Sequence, residues 1–154
     1  MISLDNFDVK LLSAIQEKGD ITLSELAEKV CLSSSQCSRR LQRLREEGYV
    51  SRITALLSPQ KLGFSLKSYV VVTLRSHATE HTSEFSGFVQ SSPQILECCM
   101  LTGDADYMLK VVAADLKAFD HFVQGLLRLP CIATVRSSLV LRDLKETTDL
   151  PLPL

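Results

Sequence analysis

The sequence predicts an α+β protein in which a small helical domain precedes a larger domain of strands and helices. Three amphipathic helical patterns, each with a capping signal, occupy residues 4–47. A β-branched run, SYVVVTL at residues 68–74, is typical of a buried strand. The apolar patterns that follow it give the order β-α-β-β-α-β, which is the ferredoxin-like arrangement.

Composition and charge restrict the classes of protein to consider. The 154 residues are 45% hydrophobic and 23% charged, which is ordinary for a globular protein, and the net charge is −1. Any binding of a polyanion must therefore come from a local basic patch. The five cysteines include no Cys-x-x-Cys pair, which favours reduced thiols in the cytoplasm. Without a signal-peptide pattern or a membrane-length apolar run, a cytoplasmic location is expected.

The first three helices are predicted from their capping residues and apolar spacing. Asp5 is expected to cap the first helix, and Gly19-Asp20 to end it. Its buried stripe is predicted to be Phe7, Leu11, Leu12 and Ile15. Two capping boxes start the next helices, Thr22 with Glu25 and Ser33 with Gln36. A turn of about three residues between them is the helix-turn-helix spacing.

The third helix, over residues 33–47, combines one apolar face with a basic surface. Cys37, Leu41 and Leu44 recur at the spacing of a buried face. The other surface carries four arginines, and no acidic side chain is expected to interrupt it before Glu46. A basic surface of this kind suits DNA as a partner. That surface is assigned Ser35, Arg39, Gln42 and Arg43, with Arg40 and Arg45 at its flanks. The alternative is an ordinary three-helix bundle with a solvated basic face.

The segment after the third helix sets the domain boundary. Tyr49 to Leu57 alternates like a strand and is predicted to form a wing that also leads out of the domain. Ser58-Pro59 breaks the pattern. The predicted domains are residues 1–58, a winged helix-turn-helix DNA-binding domain with a linker strand, and residues 59–154, a ferredoxin-like domain.

Within the second domain, strands are predicted at residues 68–74, 95–102, 107–113 and 132–141. Helices are predicted at residues 80–90 and from Asp115 to Pro130. Helices cover only one face of such a sheet. The apolar strand residues are not all expected to point at the helices, so a second subunit in a two-fold dimer is expected to cover the other face. These residues are Val70, Val72, Cys98, Met100 and Leu109.

The residue types of the third helix indicate how it would contact DNA. Arginine can bind guanine, and glutamine adenine, through paired hydrogen bonds in the major groove. Base contacts are therefore assigned to Ser35, Arg39, Gln42 and Arg43. Phosphate contacts are assigned to Arg40 and Arg45 and, at the helix start, to Ser33 and Ser34. Arg52 on the following strand is a further candidate.

Catalytic and metal-binding patterns are weak. His77 and His81 are four residues apart, but no third ligand lies near them in the sequence, so a metal site is not expected. Cys98 and Cys99 are adjacent on a predicted strand and so point to opposite faces. The sequence has no Gly-x-Ser-x-Gly, P-loop or His-Glu-x-x-His motif. It is expected to be neither an enzyme nor a cofactor-binding protein.

In combination, these motifs resemble the Lrp/AsnC family of bacterial and archaeal transcription regulators. The resemblance runs along the whole chain, and its specificity comes from the combination of motifs. It is carried by Leu4-Asp5, Asp8, Leu11-Leu12, Glu25-Leu26-Ala27, Val30, Leu32-Ser33, Arg40-Leu41, Arg43-Leu44, Glu47-Gly48, Leu62-Gly63, Pro93, Thr102-Gly103-Asp104, Asp106-Tyr107, Leu109-Lys110-Val111 and Leu150-Pro151-Leu152. Four positions depart from the family pattern: Cys31 replaces a glycine, Arg45 an acid, Gln94 a glutamate and Ala105 an aromatic residue.

The resemblance implies a C-terminal domain that binds an amino-acid effector and joins homodimers into tetramers or octamers. It implies an effector site at the turn of residues 102–106, where carboxylates would face the ammonium group and the Gly103 backbone the carboxylate. The assigned residues are Thr102, Gly103, Asp104, Ala105, Asp106, Thr134, Arg136 and Ser137. Without the resemblance, the same residues are typical of a hairpin turn. Ala105 leaves open whether a ligand binds.

The sequence thus predicts a cytoplasmic, nucleoid-associated transcription regulator that binds double-stranded DNA in a sequence-specific way. Its assembly and DNA binding are expected to respond to a small amino acid. An architectural DNA-binding protein without an effector is the alternative. A third hypothesis, an enzyme or metabolite sensor built on the second domain, is disfavoured by the arginine-rich helix.

Overall fold

The computed structural model describes residues 4–152, and these form two compact units. One unit consists of residues 4–57 together with the tail of residues 145–152, and the other of residues 58–144. The tail therefore belongs to the first unit, whereas the sequence-based prediction grouped it with the second domain. The physical reason is a local one. Gln16 on the first helix exchanges two hydrogen bonds with the backbone of Leu150, and Leu152 packs against the apolar core of the first unit.

Three helices build the first unit: α1 (Asn6–Glu17), α2 (Leu23–Val30) and α3 (Ser34–Glu46). Each begins with a complete capping box, in which two side chains satisfy backbone N–H groups of the first turn. The pairs are Asp5 with Asp8, Thr22 with Glu25, and Ser33 with Gln36. The predicted helix starts are thereby confirmed.

The core of this unit differs from the prediction at the start of α1. Leu11 and Leu12 are buried as expected, but Phe7 is 38% exposed. The Arg40 guanidinium carbon lies 5.6 Å from the centre of the Phe7 ring, so the ring packs beneath a charge at the edge of the core. Asp8, only 1% exposed, occupies the buried position instead.

The turn between α2 and α3 depends on one residue with an unusual backbone. Cys31 follows α2 with φ 57° and ψ 46°, in the left-handed region. The Leu32 N–H bonds back to the Ala27 carbonyl at 3.1 Å, and both side chains pack against the core. This geometry is a Schellman motif, which ends α2 and redirects the chain into α3 within a few residues.

The predicted strand at Tyr49 to Leu57 is not formed. Residues 50–57 carry no regular secondary structure in this structure, and Ile53, Leu56 and Leu57 are exposed. A strand requires a hydrogen-bonded neighbour, and no described residue pairs with this segment in a sheet. The segment ends at a short 3-10 turn, Gln60–Leu62.

The second unit confirms the β-α-β-β-α-β order. Its elements are β1 (Leu66–Leu74), α4 (Thr79–Ser91), β2 (Ile95–Met100), β3 (Tyr107–Ala113), α5 (Leu116–Leu127) and β4 (Ile132–Leu139). The sheet has the order β2-β3-β1-β4, and all three pairings are antiparallel. The two central strands therefore carry most of the buried core, together with Phe85 of α4 and Phe119, Phe122 and Leu126 of α5.

The register shows which residues share a face of the sheet. Val70 pairs with Leu109, and both are fully buried in the core formed with α4 and α5. Cys98 pairs with Leu109 and Met100 with Tyr107, so these edge residues lie on the helix face too. The expectation that this set is split between two faces was therefore wrong. The face without helices instead holds a mixture of polar and apolar side chains, of which Val112 is buried and Tyr69 exposed: Lys67, Tyr69, Val71, Met108, Lys110, Val112 and Arg136.

Candidate nucleic-acid interface and effector site

The exposed surface of α3 is a line of hydrogen-bonding side chains. Ser35, Ser38, Gln42 and Arg45 follow one another at spacings of three, four and three residues, which places them on one face of a helix. Arg39 lies beside them, and all five are exposed. We call these five residues the readout stripe. Ser38 was missed by sequence reasoning, although the helical spacing from Ser35 would have identified it.

The start of α3 offers fewer free groups than its three serines suggest. The Ser33 hydroxyl accepts a hydrogen bond from the Gln36 N–H at 3.2 Å and lies 3.1 Å from the Ser35 hydroxyl. It is therefore already engaged in capping the helix. Ser34 is exposed at the first turn, where the N-terminal end of a helix favours an anion.

Arg40 and Arg43 do not lie as predicted, because acids of α1 bind them. Arg40 Nη1 lies 2.7 Å from Asp5 Oδ2 and 2.8 Å from Asp8 Oδ1. Arg43 Nη2 lies 2.5 Å from the other oxygen of Asp8. The expectation that no acid interrupts the basic surface before Glu46 was wrong. Arg43 is directed at α1, away from the position assigned to it as a base-reading residue.

These contacts also shift the pKa values of Asp5 and Arg40. The backbone N–H of Asp8 and, after it, the Arg40 guanidinium lower the pKa of the Asp5 carboxyl. Asp5 and then Asp8 raise the pKa of Arg40. Arg43 Nε is buried with no hydrogen-bond partner among residues 4–152, and it lies 3.8 Å from Glu47 Oε1. The charged forms of these groups are therefore part of the packing between α1 and α3.

The remaining cations of α3 are available to a ligand. Within residues 4–152, neither Arg39 nor Arg45 forms an ion pair. Gln42 Nε2 donates to Glu46 Oε1 at 2.9 Å, which orients its amide along the helix. Arg52, the further candidate, is exposed in the segment that lacks regular structure. The stripe thus presents two unpaired guanidinium groups among hydroxyl and amide groups.

The predicted effector turn connects β2 and β3. Gly103 has φ 111°, a backbone conformation that favours glycine, and no atom lies within 4 Å of the position of an added Cβ. The Leu101 N–H donates to the Asp106 carbonyl at 2.8 Å and closes the turn. Thr102 and Asp104 are exposed, and Ala105 is half-buried.

Asp106 holds the turn against the end of β1. Its Oδ2 accepts from the Leu74 N–H at 2.7 Å, and its own N–H donates to the Val72 carbonyl at 3.0 Å. Its Oδ1 lies 3.3 Å from His77 Nε2. The carboxylate of Asp106 is therefore occupied by the protein, and Asp104 is the acid of this turn that is free to meet an ammonium group.

Two of the three β4 residues assigned to the effector site share a face of the sheet. Thr134 pairs with Thr73 and Arg136 with Val71, which places both on the face without helices. Ser137 pairs with Val70 and so points to the helix face, because side chains alternate along a strand. The structure therefore separates Ser137 from Thr134 and Arg136. Thr134 lies at the same end of the sheet as the turn, since Val72 pairs with Tyr107.

Other candidate chemistry is sparse. In the described part of the chain, no group of three or more His, Cys, Asp or Glu side chains is arranged to hold a metal ion. His77 Nε2 lies 3.3 Å from Asp106 Oδ1, and His81 Nδ1 is buried with no hydrogen-bond partner in the described part of the chain. All five cysteines are free thiols, and burial raises the pKa of Cys131 to about 11. None of the helices between residues 4 and 152 has the length and apolarity to cross a bilayer.

Comparison with known proteins connects both units to one family. Residues 4–51 match the model of a winged helix-turn-helix DNA-binding domain, and residues 67–150 match that of the Lrp/AsnC ligand binding domain. The glutamate uptake regulatory protein of Zymomonas mobilis is 33% identical over 150 residues, covering 97% of this chain and 92% of the relative. The Escherichia coli K12 DNA-binding transcriptional activator DecR is 35% identical over 150 residues, covering 97% and 99%.

Solved structures agree with this relationship. A transcriptional regulator from Neisseria meningitidis, solved as a complex with L-Met, is 40% identical with a TM-score of 0.93, and the match covers 97% of both chains. An AsnC family transcriptional regulator from Agrobacterium tumefaciens is 35% identical with a TM-score of 0.89, covering 96% of this chain and 97% of that one. The chain is a DNA-binding transcription regulator and belongs to the Lrp/AsnC family.

Proposed function

We propose that this regulator reads duplex DNA with the readout stripe of α3 and changes its DNA binding when an amino acid binds the second unit. The observation that carries the first part is the exposed stripe itself, in which two unpaired guanidinium groups stand among hydroxyl and amide groups. The second part is supported by the match to a ligand binding domain and by the similar regulator solved with L-Met.

Base reading is assigned to the exposed side chains of the readout stripe. Arg39 and Arg45 can each fork to a guanine edge, and Gln42 can bind an adenine edge, each good pair contributing roughly 1–3 kcal/mol of discrimination. Ser35 and Ser38 are short enough to let the helix approach the bases. Ser34 and the first-turn N–H groups are assigned to a phosphate, which positions the helix without reading sequence.

The effector site is proposed at the turn of residues 102–106 and the adjoining start of β4. Asp104 supplies a carboxylate for the ammonium group of an amino acid, and the Gly103 backbone supplies donors for its carboxylate. Thr134 and Arg136 lie on the sheet face without helices and contribute from β4. Asp106 positions the turn through its bond to Leu74 and does not contact the ligand.

Regulation then follows from assembly. The helix-free sheet face carries Tyr69, Val71 and Met108 among charged residues, a mixture that suits contact with a second copy of the chain. We propose homodimers that join into tetramers or octamers. The effector alters DNA binding only by its different affinity for two arrangements of the helix-turn-helix units, because a ligand with equal affinity for both shifts nothing.

The test is a titration of the full chain with a labelled duplex from upstream of its own coding region. It is repeated with each proteinogenic amino acid while particle size is followed by light scattering. We expect binding that weakens steeply with salt, and at least one amino acid that shifts both affinity and size. Asp104→Ala should abolish the response to that amino acid, whereas Asp120→Ala, which removes an exposed acid of α5, should not.

Two other results would refute parts of the proposal. If DNA binding is absent or insensitive to salt, α3 is not a DNA-reading helix. If DNA binds but no amino acid changes affinity or size, the effector part is wrong, and the chain acts as an architectural DNA-binding protein.

A further inference from the structure

Four charged side chains between α1 and α3 form a connected set of ion pairs, and Glu47 lies 3.8 Å from one of its arginines, Arg43. Asp5 and Asp8 come from the start of α1, and Arg40 and Arg43 from the middle of α3. We call them the charge quartet. Two carboxylates face two guanidinium groups within 2.5–2.8 Å, so the quartet has no net charge.

The burial of Asp8 keeps this set together. Its side chain is 1% exposed, and its two oxygens bind different arginines. If a DNA phosphate drew both arginines away, a buried carboxylate would be left without compensation, which is strongly unfavourable. Arg40 is held further by Asp5 and by the Phe7 ring beneath it.

Charge counting shows what this does to the DNA-binding surface. The first unit, residues 4–57 and 145–152, contains nine Lys and Arg and ten Asp and Glu, so it has no excess of positive charge. Of the four arginines in α3, the quartet neutralises two. The phosphate-neutralising charge of α3 is therefore that of Arg39 and Arg45, half of what its sequence suggests.

We propose that Asp5 and Asp8 mask Arg40 and Arg43 and thereby set the number of DNA phosphates that α3 can neutralise. The acids act as positioning residues through the arginines and do not touch DNA themselves. This inference rests on the proposed DNA-reading role of α3. Its physical consequence concerns the salt dependence of binding, because each phosphate neutralised contributes about −0.9 to the slope of log K against log salt concentration.

The test removes one acid without damaging the helix. Asp5→Asn eliminates a charge, and asparagine caps a helix about as well as aspartate does. The quartet then carries one uncompensated positive charge. In titrations of a labelled random-sequence duplex with the full chain between about 50 and 200 mM KCl, the slope should steepen by about 0.9 for each protomer on the DNA.

Two matched variants separate masking from a general change of charge. Asp20→Asn removes one exposed acid from the same unit outside the quartet and should leave the slope as in the wild type. Asp5→Asn combined with Arg40→Gln restores a neutral set of Asp8 and Arg43 and should return the slope to the wild-type value. Far-UV circular dichroism checks that every variant retains its helices.

A purely structural role for the acids would change stability and leave all slopes equal, which would overturn the proposal. So would an equal steepening by Asp20→Asn, because the effect would then come from net charge alone. Wild-type protein that binds the duplex without any salt dependence would overturn the DNA-reading role of α3 and this inference together.

Discussion

The left-handed residue in the helix-turn-helix turn leads to a prediction about stability. Cys31 holds φ 57° and ψ 46°, where the Cβ of an L-residue approaches its following carbonyl at a cost of about 1–2 kcal/mol. Glycine has no Cβ but loses more backbone freedom on folding, by roughly 0.5–1 kcal/mol. The thiol is exposed, and its contact with the Glu28 carbonyl is long, at 3.9 Å. Cys31→Gly should therefore stabilise the protein by about 0.75 kcal/mol, the difference between the midpoints of those two costs.

Urea unfolding of the full chain, followed by far-UV circular dichroism, measures this change as a higher midpoint at an unchanged slope. Cys31→Ala is the matched control, because it removes the thiol but keeps the Cβ. It should stay within about 0.5 kcal/mol of the wild type, as exposed substitutions usually do. A glycine variant no more stable than the alanine variant would show that Cβ strain at this turn is negligible.

Three further predictions concern recognition, acid stability and the tail. Arg39→Ala should reduce discrimination between a selected duplex and its single-base variants by roughly 1–3 kcal/mol in competition binding; equal losses on all duplexes would assign it to phosphate instead. Lys18 and then Thr22 lower the pKa of Glu25 from 4.5 to about 2, so the stability it supplies is present above pH 4.5 and lost as pH falls toward 2. Glu25→Gln should flatten that decline in thermal melts, and a decline as steep as the wild type's would contradict the assignment. Leu152→Ala should cost about 1–2 kcal/mol in urea unfolding, less than a fully buried leucine, and no loss would mean that the tail does not support the core.

The helix starts could be predicted because capping is a local interaction. Each capping box joins residues three apart, so the sequence contains both partners side by side. The same holds for Asp115, whose carboxylate accepts from the Ala118 N–H at 2.7 Å and starts α5 where expected. The order of strands and helices in the second unit follows from equally local patterns of apolar residues.

The strand at Tyr49 to Leu57 could not be judged from its own residues. Alternating apolar and polar side chains suit any extended segment, but a strand exists only where another segment supplies hydrogen bonds.

The face of the sheet that a side chain takes could not be predicted from its own strand either. Which side Cys98 and Met100 take depends on the register with β3, where a shift between Ile95 and Glu97 resets the alternation.

The exposed surface of α3 was predicted in outline and corrected in detail. Helical spacing places Arg39 and Gln42 on the exposed side, and the structure has them there. The same spacing says nothing about what a neighbouring helix brings to the flank of α3. Asp8 was noted only among the residues of the family resemblance, yet it is the buried partner of Arg40 and Arg43, more than 30 residues away in sequence.

The tail that packs on α1 affects how this protein folds during its synthesis on the ribosome. Gln16 is synthesised early, but the backbone it binds, that of Leu150, is added 134 residues later. Leu152, which joins the same core, is later still. A nascent chain thus cannot finish packing its DNA-binding half until its regulatory half has been translated. A fragment cut after residue 57 would lack the same support.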